Sequence, residues 1–265
     1  MWVYVTHTKT TKHPFLTPAI FQDHNFVTSL IFMFFIGLIL LATMALLPPY
    51  MQNIMGYPVF DVGTILAPRG FGTMISMLVL GKFGSRLDPR GLVLFGLITT
   101  AYSLGQMCQF NNFVPAQMIV TTGIMQGFGL GFVFMPLSTL AYSTLEAKYR
   151  DEAAALFSLI RNLGSSIGVS IAFSLFARNV QTQHAYLSEH ITPFSMGIGI
   201  QQLPQILNNE VVSALMMVDA EINRQAATIA YINDFKLMMW VVVCMIPMVV
   251  LLRKPPAQII AQSTA

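Results

Sequence analysis

Between Gly91 and Leu145 the chain carries no charged residue. One crossing of a bilayer takes about 20 mostly apolar residues, so this stretch is too long for a single span. Asn111-Asn112 and Pro115 interrupt it, which predicts two spans, near 92–110 and 116–142. The rest of the chain has the same character: 55% of the residues are hydrophobic and 9% are charged. Soluble domains carry about a quarter charged residues, and a 265-residue chain with so few cannot cover a soluble surface. These features predict an all-α, polytopic membrane helix bundle.

Four further spans complete a predicted set of six transmembrane helices. Phe26–Leu47 is uncharged and stops at Pro48-Pro49. Val62–Leu80 holds one charge, Arg69, and Ala153–Ala177 holds Arg161. Leu237–Leu252 stops at Arg253-Lys254-Pro255-Pro256. The expected organisation is a cytoplasmic segment over 1–25, spans one to five over 26–178, a periplasmic or extracellular segment over 179–234, span six over 235–252 and a cytoplasmic tail over 253–265. Within the external segment, Val211, Leu215, Val218, Ile222, Ala226 and Ile229 recur at helical spacing. They predict either an amphipathic helix, lying on the membrane or packed on the bundle, or a plain connector. Residues 1–25 contain Lys9, Lys12 and Asp23 and no short apolar core, so no cleavable leader is expected there.

Positive residues set the expected orientation. Lys9, Lys12, Lys82, Arg86, Arg90, Lys148, Arg150, Arg253 and Lys254 fall on one side, against Arg178, Arg224 and Lys236 on the other. Both termini are therefore expected in the cytoplasm. A net charge of +3 without a long basic run excludes a nucleic-acid partner. Cys108 and Cys244 lie in apolar stretches and read as packing residues.

Several residues could carry function. Arg69 and Arg161 sit within spans, where charge is expensive and usually faces a bundle interior or a water path. They read either as substrate or gating residues or as anchors that reach backbone carbonyls or headgroups. No Asp or Glu falls inside the predicted spans. Gln106, Gln126 and Asn162 could line a cavity or make interhelical hydrogen bonds. Gly164, Gly168 and Ala172, and Gly127 with Gly131, form small-residue stripes at four-residue spacing that allow close helix packing. The Gly127–Gly131 run lacks the strand and acidic residue of a dinucleotide loop, and no cofactor is expected. His184 and His190 flank Glu189, a weak metal pattern, and no metal site is assigned. P-loop and nucleophile-elbow motifs are absent, so the chain is not read as an enzyme. The 18 Met and 20 Phe suit either an adaptable apolar pocket or a lipid-facing surface.

Several stretches together resemble the drug–proton antiporters of the EmrB/QacA type, the fourteen-span branch of the major facilitator superfamily. They are His13-Pro14-Phe15 with Phe21–Phe26, Leu47-Pro48-Pro49-Tyr50-Met51-Gln52, Leu66–Gly70 with Gly72-Thr73-Met74, Leu159–Gly168, and Asn223–Ala227 with Tyr231–Phe235. The loop Gly81-Lys82-Phe83-Gly84-Ser85-Arg86-Leu87-Asp88-Pro89-Arg90 is similar to the superfamily's cytoplasmic gating motif. Gly81, Arg86 and Arg90 match it, Ser85 replaces its acidic residue, and Asp88 stands at its second glycine. Alternatively the loop is a basic turn that fixes topology.

The resemblance implies the C-terminal half of a proton-driven multidrug exporter of the bacterial inner membrane, with a role in antibiotic resistance. That half would be built from two three-helix inverted repeats. It implies a missing N-terminal transporter half that holds the proton-handling acid, a periplasmic adaptor, and apolar or cationic drugs as substrates. The alternative is a non-transporting membrane scaffold or a degenerate transporter remnant.

Overall fold

The computed structural model describes residues 18–84, 87–145, 147–189 and 209–253. Among these residues there are seven α-helices: α1 (His24–Pro49), α2 (Val59–Leu66), α3 (Pro68–Phe83), α4 (Pro89–Met107), α5 (Ala116–Ser143), α6 (Arg150–Glu189) and α7 (Asn209–Met248). The sequence expectations at 1–17, at Arg86, at His190 and in the tail beyond Arg253 lie outside the described residues.

Local chemistry sets the helix ends. Asp23 caps α1, accepting from the amides of Asn25 at 2.9 Å and Phe26 at 3.1 Å, which satisfies donors that the first turn leaves free. The stop expected at Pro48-Pro49 is not a stop. Both prolines are helical, and Tyr50–Ile54 continues as a π-helical turn. Proline removes an amide donor and crowds the preceding turn, and the wider π geometry absorbs that misfit. Gly56, at φ 72°, then reverses the chain, in a region that favours glycine. The second predicted span is broken at Ala67 because Pro68 has no amide to donate; it starts α3 instead. Asp88 caps α4, accepting from the Arg90 amide at 3.2 Å, with Pro89 in the first turn.

Among the described residues five helical segments are long and apolar enough to cross a membrane: His24–Ile54, Val59–Phe83, Ala116–Ser143, Arg150–Glu189 and Met216–Leu251. The remaining helix, α4, is diluted by Arg90, Thr99, Thr100, Ser103 and Gln106, yet it runs the height of the bundle. It touches the turn Val249–Leu251, and the loop after it gives the Asn111 carbonyl to the Tyr50 hydroxyl at 2.9 Å. The start of α1 and the end of α7 meet at one end: Asn25 Nδ2 donates to the Arg253 carbonyl at 3.1 Å, and the Arg253 amide donates to Asn25 Oδ1 at 2.8 Å. At the other end Thr228 Oγ1 donates to Asn112 Oδ1 at 2.6 Å.

The helix expected over 211–232 and the span expected to begin near 235 form one helix. α7 is continuous from Asn209 to Met248, and α6 continues past 178 to Glu189. At 1.5 Å per residue each 40-residue helix is about 60 Å long, twice the ~30 Å hydrocarbon core. Polar residues in the outer turns hid this continuity from a hydropathy reading.

The core gathers Phe26, Phe32, Leu97, Val133, Phe235 and Val242, all fully buried or nearly so. In chain order the helices form two units of three, α1 with α2/α3 and α4, and α5 with α6 and α7, and most of their packing runs between the units. The second helix of each unit packs on the first helix of the other: α3 on α5, and α6 on α1. Glycine makes both contacts possible. A methyl at Gly72 would collide with the Ile124 carbonyl and one at Gly127 with the Arg69 carbonyl; likewise Gly164 faces the Phe34 carbonyl and Gly37 the Arg161 carbonyl. A Cβ at Gly168 would fall 2.7 Å from Leu38 Cα, and one at Gly131 would strike Ser76. Overpacking of this kind costs about 1–3 kcal/mol. Gly164→Val should therefore lower the thermal stability of the purified protein in detergent by that order. Gly63→Ala, where a methyl meets nothing within 4 Å, should leave it unchanged.

Candidate functional site

Of the polar candidates, Arg69 and Gln126 are buried inside the bundle, on α3 and α5. Arg69 lies in the first turn of α3, placed by the break at Pro68, and is 8% exposed. Its backbone rests on Gly127 and its Cβ lies 3.8 Å from the methyl position of Gly123. Its Nη2 is buried and meets no acceptor among the described residues. Gln126, on the same stretch of α5, is fully buried. Its Nε2 donates to Thr43 Oγ1 at 3.4 Å while its Oε1 has no donor. Thr43 in turn donates to the Ile39 carbonyl, and Met238 Sδ lies 3.5 Å away. This small polar cluster joins α1, α5 and α7 at the centre of the core.

The other candidates lie apart from it. Arg161 is half-buried, with its guanidinium carbon 5.9 Å from the centre of the Phe134 ring, a cation–π contact. Asn162 is exposed. Gln106 is half-buried near the end of α4 and donates to the Tyr102 hydroxyl at 3.0 Å. In the loop resembling the gating motif, nothing lies within 4 Å of a methyl at Gly81, and Asp88 and Arg90 form the cap of α4. Among the described residues no three His, Cys, Asp or Glu are grouped to hold a metal. His184 pairs instead with Asp219 Oδ1 at 3.0 Å and ties α6 to α7.

Two features escaped the sequence reading. Arg69 and Arg161 occupy the same place in the two units. Each stands three residues before a glycine, and each rests its carbonyl on a glycine of the opposite unit's first helix. The contact partners, not the spacing alone, reveal this pairing. The second feature is a buried acidic residue at the start of the sixth expected span. Asp234 sits inside the apolar segment Met216–Leu251 and is 2% exposed. The expected span opens at Leu237, three residues later, and hydropathy alone gives no sign of this burial.

At the end of the bundle away from Arg253, a cavity of about 400 Å³ opens between the π turn, α6 and α7. Asn53, Phe176, Asn223, Arg224 and Tyr231 line it. Arg224 is held by Glu221 at 2.8 Å, and the Tyr231 ring packs on Phe176 at 4.3 Å and on Tyr50 at 5.4 Å.

A profile of the Major Facilitator Superfamily matches residues 5–169, more than half of the sequence. The chain belongs to the Major Facilitator Superfamily. Among similar proteins, the fatty acid resistance protein FarB of Neisseria gonorrhoeae is 29% identical over 76% of this chain and 42% of its own length. The probable multidrug resistance protein EmrY of Escherichia coli K12 is 25% identical over 93% of this chain and 48% of its own. The multidrug export protein EmrB of the same strain is 30% identical over 70% and 36%. The chain thus spans less than half the length of these relatives, and the resemblance to EmrB-type proteins holds.

Arg69 provides a test within this superfamily chain. A buried charge without a partner weakens a fold, and an apolar replacement of similar volume is often neutral or stabilising. Arg69→Met should therefore leave the melting temperature in detergent unchanged or raise it. A clear fall would identify the arginine as a structural anchor.

Proposed function

We propose that the chain forms the C-terminal half of a proton-driven multidrug exporter in the bacterial inner membrane, with both termini cytoplasmic. Apolar or cationic compounds pass along one of its walls. The observation that carries this reading is a bundle of two interlocked three-helix units, the makeup of one superfamily half, matched to less than half of relatives named for multidrug resistance or export.

The outer surfaces agree with it. On α3, Phe71, Met74 and Leu78 are exposed, as are Leu159, Leu163 and Ile167 on α6. Lipid covers part of such a surface, and the N-terminal half covers the rest. That half supplies the opposite wall and, by the family resemblance, an acidic residue for the proton. Arg161 and exposed Asn162 on α6 stand on the pathway side, and a periplasmic adaptor meets the outer end.

The decisive experiment compares two forms in a pump-deleted bacterium: this chain alone, and the chain fused to the N-terminal half of E. coli EmrB. Resistance and dye efflux should appear only in the fusion. Activity of the chain alone would overturn the half-transporter reading, and inactivity of both at normal membrane abundance would favour a non-transporting scaffold. In the fusion, Arg161→Ala should reduce resistance to the level of the empty strain at unchanged abundance. Loss of abundance would instead assign Arg161 to packing.

A further inference from the structure

The chain has 11 acidic residues, and among the described ones Asp234 alone is buried. Asp23 and Asp88 cap helices. Asp61, Asp151 and Glu152 lie in first turns, where they favour the helix dipole. Asp219 and Glu221 pair with His184 and Arg224 on the outer part of α7. Asp234 has no comparable duty. Its Oδ2 is closed off and meets no donor among the described residues.

Its surroundings are apolar and aromatic. Tyr231, one turn before it on α7, packs on Tyr50 and Phe176, and Phe235 packs on Phe110. The ionisable groups of the neighbouring elements lie elsewhere. Tyr50, from the π turn, donates its hydroxyl to the Asn111 carbonyl. Cys108, at the end of α4, lies near Lys236, which is exposed. On α6, Arg161 stacks over Phe134 and Arg178 is exposed. α1 brings Thr43, which meets Met238 one turn further along α7 and does not ionise. No described cation forms an ion pair with Asp234.

An ionised carboxylate enclosed without a partner is strongly disfavoured. A metal cation would need several oxygen ligands, and this place offers one carboxylate. A proton needs only one oxygen. There is also a route to it. Asp234 lies about 9 Å along α7 from Thr228, which is bonded to the loop at the bundle's outer end. The cavity between the π turn, α6 and α7 reaches Tyr231, one turn from Asp234.

We propose that Asp234 is a proton-binding site of this half, reached from the outer side through that cavity, with the Tyr231 ring as the barrier between them. An O–H bond forms at Oδ2 with a proton taken from outer water. It breaks when the bundle rearranges and water on the other side accepts the proton. The use of the site in transport rests on the exporter reading above; its occupancy by a proton does not.

The test uses the EmrB fusion reconstituted in lipid vesicles, with ethidium as the transported probe. Infrared spectra at neutral pH should show a protonated carboxyl band that Asp234→Asn removes and Asp234→Glu keeps at a shifted position. Asp234→Asn should retain ethidium counterflow, which needs no proton, and lose its acceleration by an imposed pH gradient. A wild-type carboxyl that is ionised at neutral pH overturns the proposal, as does an Asp234→Asn fusion with its full response to the gradient. A wild-type fusion that moves no ethidium at all counts against the exporter reading, and the infrared band then decides Asp234 by itself.

Discussion

Backbone pressed against backbone holds this bundle together. In lipid the surroundings of a helix are as apolar as its side chains, so close approach replaces the hydrophobic force that drives packing in water. Gly37, Gly72, Gly127 and Gly164 allow that approach, each facing a carbonyl of the helix it meets. The contacts are reciprocal. α3 offers Gly72 to α5 and receives Gly127; α6 offers Gly164 to α1 and receives Gly37. Two helix pairs are thereby fixed in one register, and the positions of Arg69 and Arg161 follow from it.

The two units share this register but not their environment. α4 packs along α5, whereas its counterpart α7 meets α1 over a shorter stretch and turns instead toward α6 and α4. α7 therefore closes the bundle on one side, while α3 remains on a flank with apolar side chains exposed. The equivalent arginines differ accordingly. Arg69 is enclosed with an unpaired nitrogen, and Arg161 rests half-buried on an aromatic face. One backbone scheme used twice thus gives two chemically different sites.

Much of the fold was legible because lipid imposes a simple rule: backbone polar groups must be satisfied within the helix, and side chains must be apolar. That rule located the spans around Phe32, Val133 and Val242. It failed where a helix keeps its geometry while its composition changes. Pro48-Pro49 looked like a stop, but a π turn absorbs them. Asn223, Arg224 and Asn233 fall in the expected external segment, yet they belong to the same continuous helix as the expected sixth span. The site was less legible still. Hydropathy averages over all faces of a helix, and the burial of Asp234 depends on one face, shared with Tyr231 and Met238. The pairing of Arg69 with Arg161 required knowing which glycine each carbonyl meets.

Of the five buried side-chain polar atoms without partners among the described residues, three are Arg69 Nη2 on α3, Gln126 Oε1 on α5 and Asp234 Oδ2 on α7. Each opposes the closed packing, because a buried polar group that has lost water and found no partner costs about 1–3 kcal/mol, and more if charged. The glycine contacts supply compensating close packing near two of them, since Gly127 lies beside both Arg69 and Gln126. The closed arrangement is thus stabilised by backbone contact and opposed by polar groups at its centre. Water, a proton or a ligand that reaches one of those groups favours whichever conformation admits it, by as much as it binds that conformation better. A bundle whose rigid contacts are backbone and whose unsatisfied groups are side chains can rearrange around the second without undoing the first.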